Sequence, residues 1–254
     1  IDSVLSQSYP SVSIYVRDDG SRDGTLSILH EYEKKGQITL FSGENKGYGK
    51  SFLELLKNIP DDDGYYAYCD QDDVWCPEKL EAAVVWLDKQ EGPAMYHGSF
   101  YNVDEKLEII DTYGPTKKSP RFSRAITDCM HLGFSMVINE ELRKLVLIGE
   151  ENNLVTHDWW TELVAMEFAT IFFDEKIGTY HRRLDNSVSV MSMEARLKWL
   201  KKALAGNAEI RSCTEEFKRV FEHKAKKEHV KIISWFCDPT YHFGHALCKT
   251  FYPH

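Results

Sequence analysis

Short apolar segments alternate with helical segments three times within the first 90 residues. Val12 to Val16, Ile38 to Phe41 and Tyr65 to Cys69 have the length and the β-branched or aromatic content of strands. Each is followed by turn residues and then by apolar positions at helical spacing. Because strands and helices in alternation are typical of a parallel sheet with crossover helices, the sequence predicts an α/β fold.

Acidic residues directly follow two of these predicted strands. Asp18 and Asp19 come after the first, and Asp70, Asp72 and Asp73 come after the third. In open sheets of this kind, ligands bind beyond the carboxyl ends of the strands, and adjacent parallel strands would bring both loops to one rim. Crowded carboxylates repel one another unless a cation is present, and such ligands suit Mg²⁺ or Mn²⁺. The second loop is therefore predicted to bind a divalent cation, with a solvated acidic turn as the alternative.

The charge of the chain is unevenly distributed. The formal net charge of −9 argues against binding to nucleic acid. From Glu194 to Lys231, however, there are 11 Lys or Arg and 6 Asp or Glu. The pattern there is mainly helical, which predicts a main domain over residues 1–190 and a helical C-terminal appendage over residues 191–254. These basic helices are expected to contact an anionic partner such as the inner face of a membrane, or to pack on the main domain or in a homodimer.

The cysteines and the apolar segments indicate a cellular compartment. The six cysteines form no CxxC pair and no zinc-site spacing, which is typical of reduced thiols in a cytoplasmic protein. No apolar run approaches the ~20 residues of a membrane span, and no signal peptide is evident. We therefore expect a cytoplasmic protein, with peripheral contact to the membrane as the extension of this prediction.

Ordered motifs over residues 1 to 190 resemble those of the family 2 glycosyltransferases with the GT-A fold. Asp18 to Thr25 reads DDGSRDGT, similar to the family's DDGSxDGT, and Asp70 to Asp73 reads DQDD, similar to its DxDD. The other similar segments are Asn45 to Gly47 (Asn-x-Gly), Gly133 to Asn139 (an acceptor-side segment), His157 to Trp160 (HDWW) and Tyr180 to Asn186. The last two resemble a bacterial, rhamnosyltransferase-like branch. The resemblance implies a GT-A (Rossmann-like) fold, which has a mainly parallel central sheet flanked by helices, here with the helical C-terminal appendage.

The resemblance also implies a role for each matching residue. Asp72 would be the main metal ligand, Asp73 would orient it or ligate through water, and Asp158 would be the general base. The implied donor-binding residues are Asp18, Asp19, Asn45, Lys46, Gly47, Asp70 and Arg183, with Asp19 at the base or ribose, Asp18 supporting its loop and Asp70 near the ribose.

Asp158 also has alternatives that the sequence leaves open. It could serve only as a helix N-cap, and Glu162 or Asp128 would then be the next candidates for the base. For Trp159 and Trp160, core packing and sugar stacking both remain open.

The implied reaction is inverting transfer of a sugar from a nucleotide-diphosphate donor to a saccharide or lipid-linked saccharide acceptor. The donor would be dTDP-rhamnose or a UDP-hexose, and the pathway bacterial surface polysaccharide synthesis. Mn²⁺ or Mg²⁺ would offset the charge that grows on the departing diphosphate. Two other classes remain open: a sugar-phosphate nucleotidyltransferase, and a non-catalytic carbohydrate-binding or assembly module.

The sequence departs from the family pattern in two places. The family normally begins with a strand and a nucleotide-binding loop ahead of the first motif, and we expect this strand to be missing from the sequence. In the Tyr180 motif, Arg183 aligns with the family's His, and His181 stands where the family has Arg. The phosphate or metal contact expected there would then have different chemistry.

Overall fold

The computed structural model describes residues 1–61, 64–114, 121–126, 129–154, 156–183, 197 and 209–237. Its helices are α1 (Asp2–Leu5), α2 (Thr25–Lys34), α3 (Tyr48–Asn58), α4 (Lys79–Leu87), α5 (Phe122–Ala125), α6 (Glu140–Val146), α7 (His157–Phe168), α8 (Glu209–Phe221) and α9 (Lys227–Cys237). Its strands are β1 (Tyr15–Asp18), β2 (Thr39–Ser42), β3 (Tyr65–Ala67), β4 (Val74–Trp75), β5 (Ala94–Val103), β6 (Ile109–Tyr113), β7 (Met136–Asn139) and β8 (Thr170–Arg182).

The strands form two sheets that are flanked by helices. β1 and β2 pair in parallel, and the larger sheet has the order β3-β7-β5-β8-β4 with β6 added to β5. In the larger sheet β5 and β8 are parallel, whereas the β3–β7, β5–β7, β4–β8 and β5–β6 pairs are antiparallel. The predicted α/β class is confirmed, and the directions of the strands are more mixed than the alternating pattern of the first 90 residues indicates.

The strands that carry the two acidic loops belong to different sheets. β1 pairs with β2, while β3 takes the antiparallel β7 as its neighbour. Within the described residues no pairing joins β1 to β3. The described pairings therefore do not show these two strands as neighbours: β3 is an edge strand of the larger sheet and pairs there with the downstream strand β7.

β8 is long and irregular, and the sequence did not predict it. Its pairing with β5 shifts register twice, around Ser99, so that Glu175 and Lys176 have no Cα partner on β5. This bulge takes up the charged residues that interrupt the strand pattern. Beyond it, β8 pairs in regular fashion up to His181 and Arg182, which end the strand at the carboxyl edge of β5.

The main hydrophobic core surrounds α7. Trp160, Leu163 and Val164 are fully buried there. Phe217 and Phe221 of α8 belong to the same cluster of buried side chains, as do Ile233 and Phe236 of α9. The described C-terminal helices therefore bury apolar residues in the core of the preceding sequence. Among the described helices, none has the length and apolar content needed to cross a membrane.

Candidate active site

Asp70, Asp73 and His181 come together at one end of the larger sheet. Asp70 and Asp73 lie in the loop between β3 and β4, and His181 lies near the end of β8. β4 pairs with β8 in the register Val74 to Tyr180, and this pairing places Asp73 beside His181. Asp73 Oδ1 lies 2.8 Å from His181 Nδ1. One ligand atom from each of the three residues falls within 4.8 Å of the other two.

Crowding and burial change the acidity of both carboxyl groups. Burial raises the pKa of Asp70 to about 7, and the charges of Asp73 and Asp72 add to this effect. The pKa of Asp73 is also raised, again mainly by burial, although the contact with His181 opposes the shift. Asp73 Oδ2 is buried and has no hydrogen-bond partner among the described residues. A cation would satisfy this oxygen and favour the ionised form of both groups.

The donor atoms of this cluster fit a divalent cation. Carboxylate oxygens suit both Mg²⁺ and Mn²⁺, and an imidazole nitrogen is more readily accepted by Mn²⁺. Asp72, predicted as the main ligand, lies in the same loop but is outside the group of three in the described structure. Its Oδ1 accepts a long hydrogen bond of 3.4 Å from Gln71.

A buried lysine lies next to the cluster. Lys79 is 5% exposed, and its Nζ donates to the carbonyl of Phe134 at 2.5 Å and to Thr179 Oγ1 at 2.8 Å. It also lies 4.5 Å from the ring centroid of Trp75. Burial lowers the pKa of Lys79 to about 8, although the neighbouring acidic groups oppose the shift. The ring of Phe134, in turn, stacks on His181 with centroids 4.3 Å apart.

Asp19 holds the loop that contains Asn45, Lys46 and Gly47. Its carboxylate accepts hydrogen bonds from the backbone N–H of Lys46 at 2.9 Å and of Gly47 at 2.8 Å. Arg17 also contacts it. Burial opposes ionisation, but these hydrogen bonds outweigh it and lower the pKa of Asp19. Gly47 has a φ of +80°, which explains a glycine at this turn. The side chains of Asn45 and Lys46 contact Gly47 N and Glu54, respectively.

Asp18 is 4% exposed at the end of β1. Its Oδ2 accepts from the backbone N–H of Gly20 and of Ser21, each at 3.0 Å. Burial opposes ionisation, but the bonds from Ser21 and Gly20 prevail and lower the pKa of Asp18. Its Oδ1 is buried without a partner among the described residues. Of the two neighbouring carboxylates, Asp18 therefore keeps an oxygen available, whereas both oxygens of Asp19 are engaged.

Asp158 lies in the first turn of α7, but it is not the cap of this helix. The N-cap is Thr156, whose side chain accepts from the N–H of Trp159. Asp158 Oδ1 also accepts from this N–H, at 2.8 Å. A Cβ added to Gly133 would lie 3.3 Å from Asp158 Cβ, so the segment around Gly133 passes directly over this turn. The charge of Asp158 is also felt by Asp70, which links the turn to the acidic cluster.

The residues around Asp158 are mostly core residues. His157 is 3% exposed between the rings of Phe52 and Tyr68, and burial lowers its pKa to about 4. Trp160 is fully buried and donates to the carbonyl of Val146 at 2.8 Å. Of the two tryptophans, Trp160 is thus a packing residue. Trp159 is half-buried and donates to the carbonyl of Ala125 at 2.6 Å.

Three predicted residues lie away from the cluster or outside the description. Arg183 extends toward β6, where its Nη1 lies 3.6 Å from Asp111 Oδ2. Glu162 is completely buried and accepts backbone hydrogen bonds, so it has no route to an acceptor hydroxyl. Asp128 lies outside the described residues.

Sequence analysis did not indicate Lys79 as part of the site, included Phe134 only within the acceptor-side segment Gly133 to Asn139, and left the role of His181 open. Lys79 follows Pro77 at the start of a helix, where a lysine usually faces solvent. No periodicity in the sequence indicates its burial. The Tyr180 motif contains His181 as well as Arg183, and the β4–β8 register brings His181 rather than Arg183 to the cluster.

Comparison with known proteins places these features in a family. A family model described as glycosyl transferase family 2 matches residues 1–139. The dTDP-rhamnosyl transferase RfbG of Shigella flexneri is 33% identical over 221 residues, which cover 82% of this chain and 75% of that protein. The putative teichuronic acid biosynthesis glycosyltransferase TuaG of Bacillus subtilis is 25% identical, covering 78% of each chain. An uncharacterised glycosyltransferase of Rickettsia typhi is also 25% identical, over 70% of this chain, and the chain spans only 56% of its length.

Solved structures share the fold at lower sequence identity. S. aureus TarS in complex with UDP-GlcNAc is similar with a TM-score of 0.62 and 17% identity, over 98% of this chain and 69% of that one. The mannosyltransferase PcManGT of Pyrobaculum calidifontis, in complex with GDP-Man and Mn²⁺, is similar with a TM-score of 0.55 and 16% identity, over 97% and 68%. The predicted GT-A fold is thereby confirmed.

Proposed function

The chain belongs to glycosyl transferase family 2, and we propose that it transfers a sugar, with inversion, from a nucleoside-diphosphate donor to a saccharide hydroxyl. The observation that carries the proposal is the placement of two kinds of carboxyl group. Asp70 and Asp73 form a cluster with His181 in which Asp73 is buried, and Asp158 lies in the first turn of α7. Inverting transfer needs a group that stabilises the leaving diphosphate and another that removes the acceptor proton.

On the donor side, Asp70, Asp73 and His181 would hold Mn²⁺ or Mg²⁺. When bound, the cation offsets the negative charge that develops on the departing diphosphate. Asp72 would join these ligands from the same loop, directly or through water. The unpartnered Asp73 Oδ2 and the raised pKa of both Asp70 and Asp73 support this cation site. The donor complex of PcManGT with Mn²⁺ is consistent with this proposal.

The nucleotide would lie against the loops that follow β1 and β2. Asp18 offers its unpartnered Oδ1, and Asp19 fixes the loop of Asn45, Lys46 and Gly47 through the backbone. Asp19 would thus act on the base or ribose mainly through the loop that it orders. Arg183 would bind the diphosphate only by breaking its ion pair with Asp111. This pair is exposed and therefore weak.

On the acceptor side, Asp158 would be the general base. An acceptor hydroxyl must lose its proton as the new bond forms, and a carboxylate that is not committed to the cation can accept this proton. The N-cap of α7 is Thr156, so Asp158 is not required as the cap of this helix.

The donor and pathway that we propose follow from the relatives. RfbG is named as a dTDP-rhamnosyl transferase, and TuaG as a putative enzyme of teichuronic acid biosynthesis. Transfer of rhamnose from dTDP-rhamnose, or of a hexose from a UDP-hexose, onto a bacterial surface polysaccharide is the corresponding activity here. The acceptor would be a saccharide or a lipid-linked saccharide.

The basic C-terminal sequence provides a candidate contact with the inner face of the membrane. In its described part, Lys224, Lys227 and Lys231 are exposed along α9 and the turn before it. Each Lys or Arg near an anionic lipid surface is worth ~1 kcal/mol. The burial of α8 and α9 residues in the main core equally supports a packing role, and a homodimer is the remaining option. Sedimentation with anionic vesicles at low and high salt distinguishes the membrane contact from the other two options, because only a membrane contact predicts salt-sensitive binding to the vesicles. A cytoplasmic location, which the absence of any predicted disulfide pattern favours, belongs to this proposal.

A donor panel tests the proposed activity. The full-length natural protein is incubated with Mn²⁺ and with dTDP-rhamnose, UDP-hexoses or GDP-mannose, and release of the nucleoside diphosphate is followed with and without EDTA. We expect slow, EDTA-sensitive hydrolysis of one donor without acceptor. Pyrophosphate-dependent exchange would instead indicate a nucleotidyltransferase. Absence of binding to every donor would indicate a non-catalytic module.

A further inference from the structure

Residues Met130 to Ser135, here named the bridging segment, run between the two halves of the candidate site. At Gly133 the segment packs on the first turn of α7, where an added Cβ would lie 2.4 Å from His157 Nε2 and 3.3 Å from Asp158 Cβ. The next residue, Phe134, stacks its ring on His181 of the acidic cluster. The segment therefore contacts both the turn that carries Asp158 and the ring of His181.

A buried carboxylate holds the start of the bridging segment. Glu162, on the second turn of α7, accepts the backbone N–H of Met130 at 2.7 Å and of His131 at 3.1 Å through Oε2. Its Oε1 lies 3.0 Å from His131 Nδ1, and its side chain is completely buried. The part-buried N–H of Met130 and the buried N–H of His131 would lose their partner if this carboxylate moved, and the loss is costly for the buried group.

The other end of the segment is held by Lys79, which donates to the carbonyl of Phe134. Glu162 and Lys79 come from different helices, α7 and α4. The first ties the segment to the helix that carries Asp158, and the second ties it to the neighbourhood of Asp73 and His181.

We propose that Glu162 is a positioning residue for glycosyl transfer, and that it sets the placement of Asp158 relative to the cluster of Asp70, Asp73 and His181 by fixing the bridging segment on α7. This inference rests on the proposed function. The important property of Glu162 is the length and acceptor geometry of its side chain, because the group is sealed from solvent and its oxygens already face Met130 and His131. Small displacements of a catalytic group are sufficient to slow the chemistry strongly.

Two variants separate position from charge. Glu162→Gln keeps the chain length and one acceptor oxygen, whereas Glu162→Asp keeps the charge but shortens the side chain by one methylene and pulls the segment inward. The matched control is Glu167→Asp. Glu167 is also buried on α7 and also accepts a backbone N–H, that of Lys226 at 2.7 Å, but it holds α9 instead of the bridging segment.

The experiment measures kcat and KM for transfer, the Kd of the nucleoside diphosphate with Mn²⁺, and Tm, all on the full-length protein. We expect Glu162→Asp to lower kcat by about 10- to 100-fold with the Kd within about twofold of wild type. Glu162→Gln should retain more activity than Glu162→Asp, and Glu167→Asp should lower Tm without a comparable loss of kcat.

Three results would overturn the inference. One is a larger loss in Glu162→Gln than in Glu162→Asp, since this order would indicate a chemical role for the charge. Another is a kcat in Glu162→Asp no lower than in Glu167→Asp, since both effects would then be losses of stability. The third is a loss of Mn²⁺-dependent nucleotide binding in Glu162→Asp equal to its loss of kcat. Absence of transfer in wild type with every donor would instead remove the proposed function.

Discussion

Asp73, Asp70 and Asp158 are the carboxyl groups on which the account depends, and each has a different environment. Asp73 is buried against His181, with one oxygen left without a partner among the described residues. Burial, together with the charges of Asp73 and Asp72, raises the pKa of Asp70 to about 7. Asp158 has its own backbone contact in the first turn of α7. The first two environments favour a bound cation, and the third leaves a carboxylate for the acceptor.

The first prediction at the residue scale compares the two adjacent carboxylates of the acidic loop. Asp73→Asn should weaken Mn²⁺-dependent binding of UDP or dTDP by about 100-fold, because it removes a buried ligand charge. Isothermal titration calorimetry with and without Mn²⁺ measures this effect, and Asp72→Asn is the matched variant. If Asp72 is the main metal ligand, as the sequence motif predicts, Asp72→Asn will weaken Mn²⁺-dependent nucleotide binding at least as much as Asp73→Asn does. Unchanged affinity in Asp73→Asn would exclude Asp73 from the site.

The second prediction concerns pH. The pKa of Asp70 is raised from 3.8 to about 7 in the folded protein without metal. Between these two pH values the folded protein holds a proton on Asp70 that the unfolded chain has released. The metal-free protein should therefore lose stability as pH rises through about 7, and Mn²⁺ affinity should fall about tenfold per pH unit below it. Thermal unfolding and Mn²⁺ titration between pH 5.5 and about 8.5 measure both trends. A metal-free Tm with the same pH dependence in wild type and in Asp70→Asn would contradict the assignment.

The acidic residues could be predicted as a site because carboxylates that crowd after an apolar strand have few structural explanations. The side chains that support these acidic residues could not be predicted from the sequence. Lys79 contacts Phe134 and Thr179, which lie 55 and 100 residues further along the chain. Its burial depends on contacts across the fold, and no local pattern encodes these.

At the scale of elements, most strands and helices of the first 90 residues were predictable, whereas the two-residue β4 and the long β8 were not. Predicted β1, β2, β3 and the intervening helices appear with boundaries shifted by a few residues, because their apolar periodicity is regular. β8 was missed because the charged residues at its bulge interrupt the alternating pattern. The β4–β8 pairing, which brings Asp73 to His181, was therefore also beyond prediction.

The close contact between the bridging segment and α7 gives a prediction at this scale. Gly133→Ala should destabilise the protein by about 1–3 kcal/mol, because its Cβ would overlap the buried His157 ring. Gly24→Ala is the matched control, since a Cβ there meets nothing within 4 Å. Urea unfolding of both variants measures the difference. Equal stability of the two variants would show that the segment does not pack on α7 as described.

At the scale of the whole molecule, the C-terminal helices belong to the same core as the site. Glu216 of α8 accepts from Glu150 N at 2.7 Å and from Asn153 Nδ2 at 2.8 Å, in the turn that precedes α7. Glu167 of α7 accepts from Lys226 N, next to α9. The division into residues 1–190 and 191–254 stays a prediction, and these contacts show that its two parts are joined by buried polar groups as well as by apolar packing.

In the proposed reaction, Asp158 acts on the acceptor, while the cluster of Asp70, Asp73 and His181 acts on the donor. The most direct test measures acceptor-dependent transfer in Asp158→Asn, together with nucleoside-diphosphate affinity and Tm. The account predicts a rate lower by ~10²–10⁴-fold, the usual contribution of a general base, with Mn²⁺-dependent donor affinity unchanged and Tm close to wild type because Thr156 caps the helix. Nearly full turnover in Asp158→Asn, or loss of donor affinity equal to the loss of rate, would contradict it.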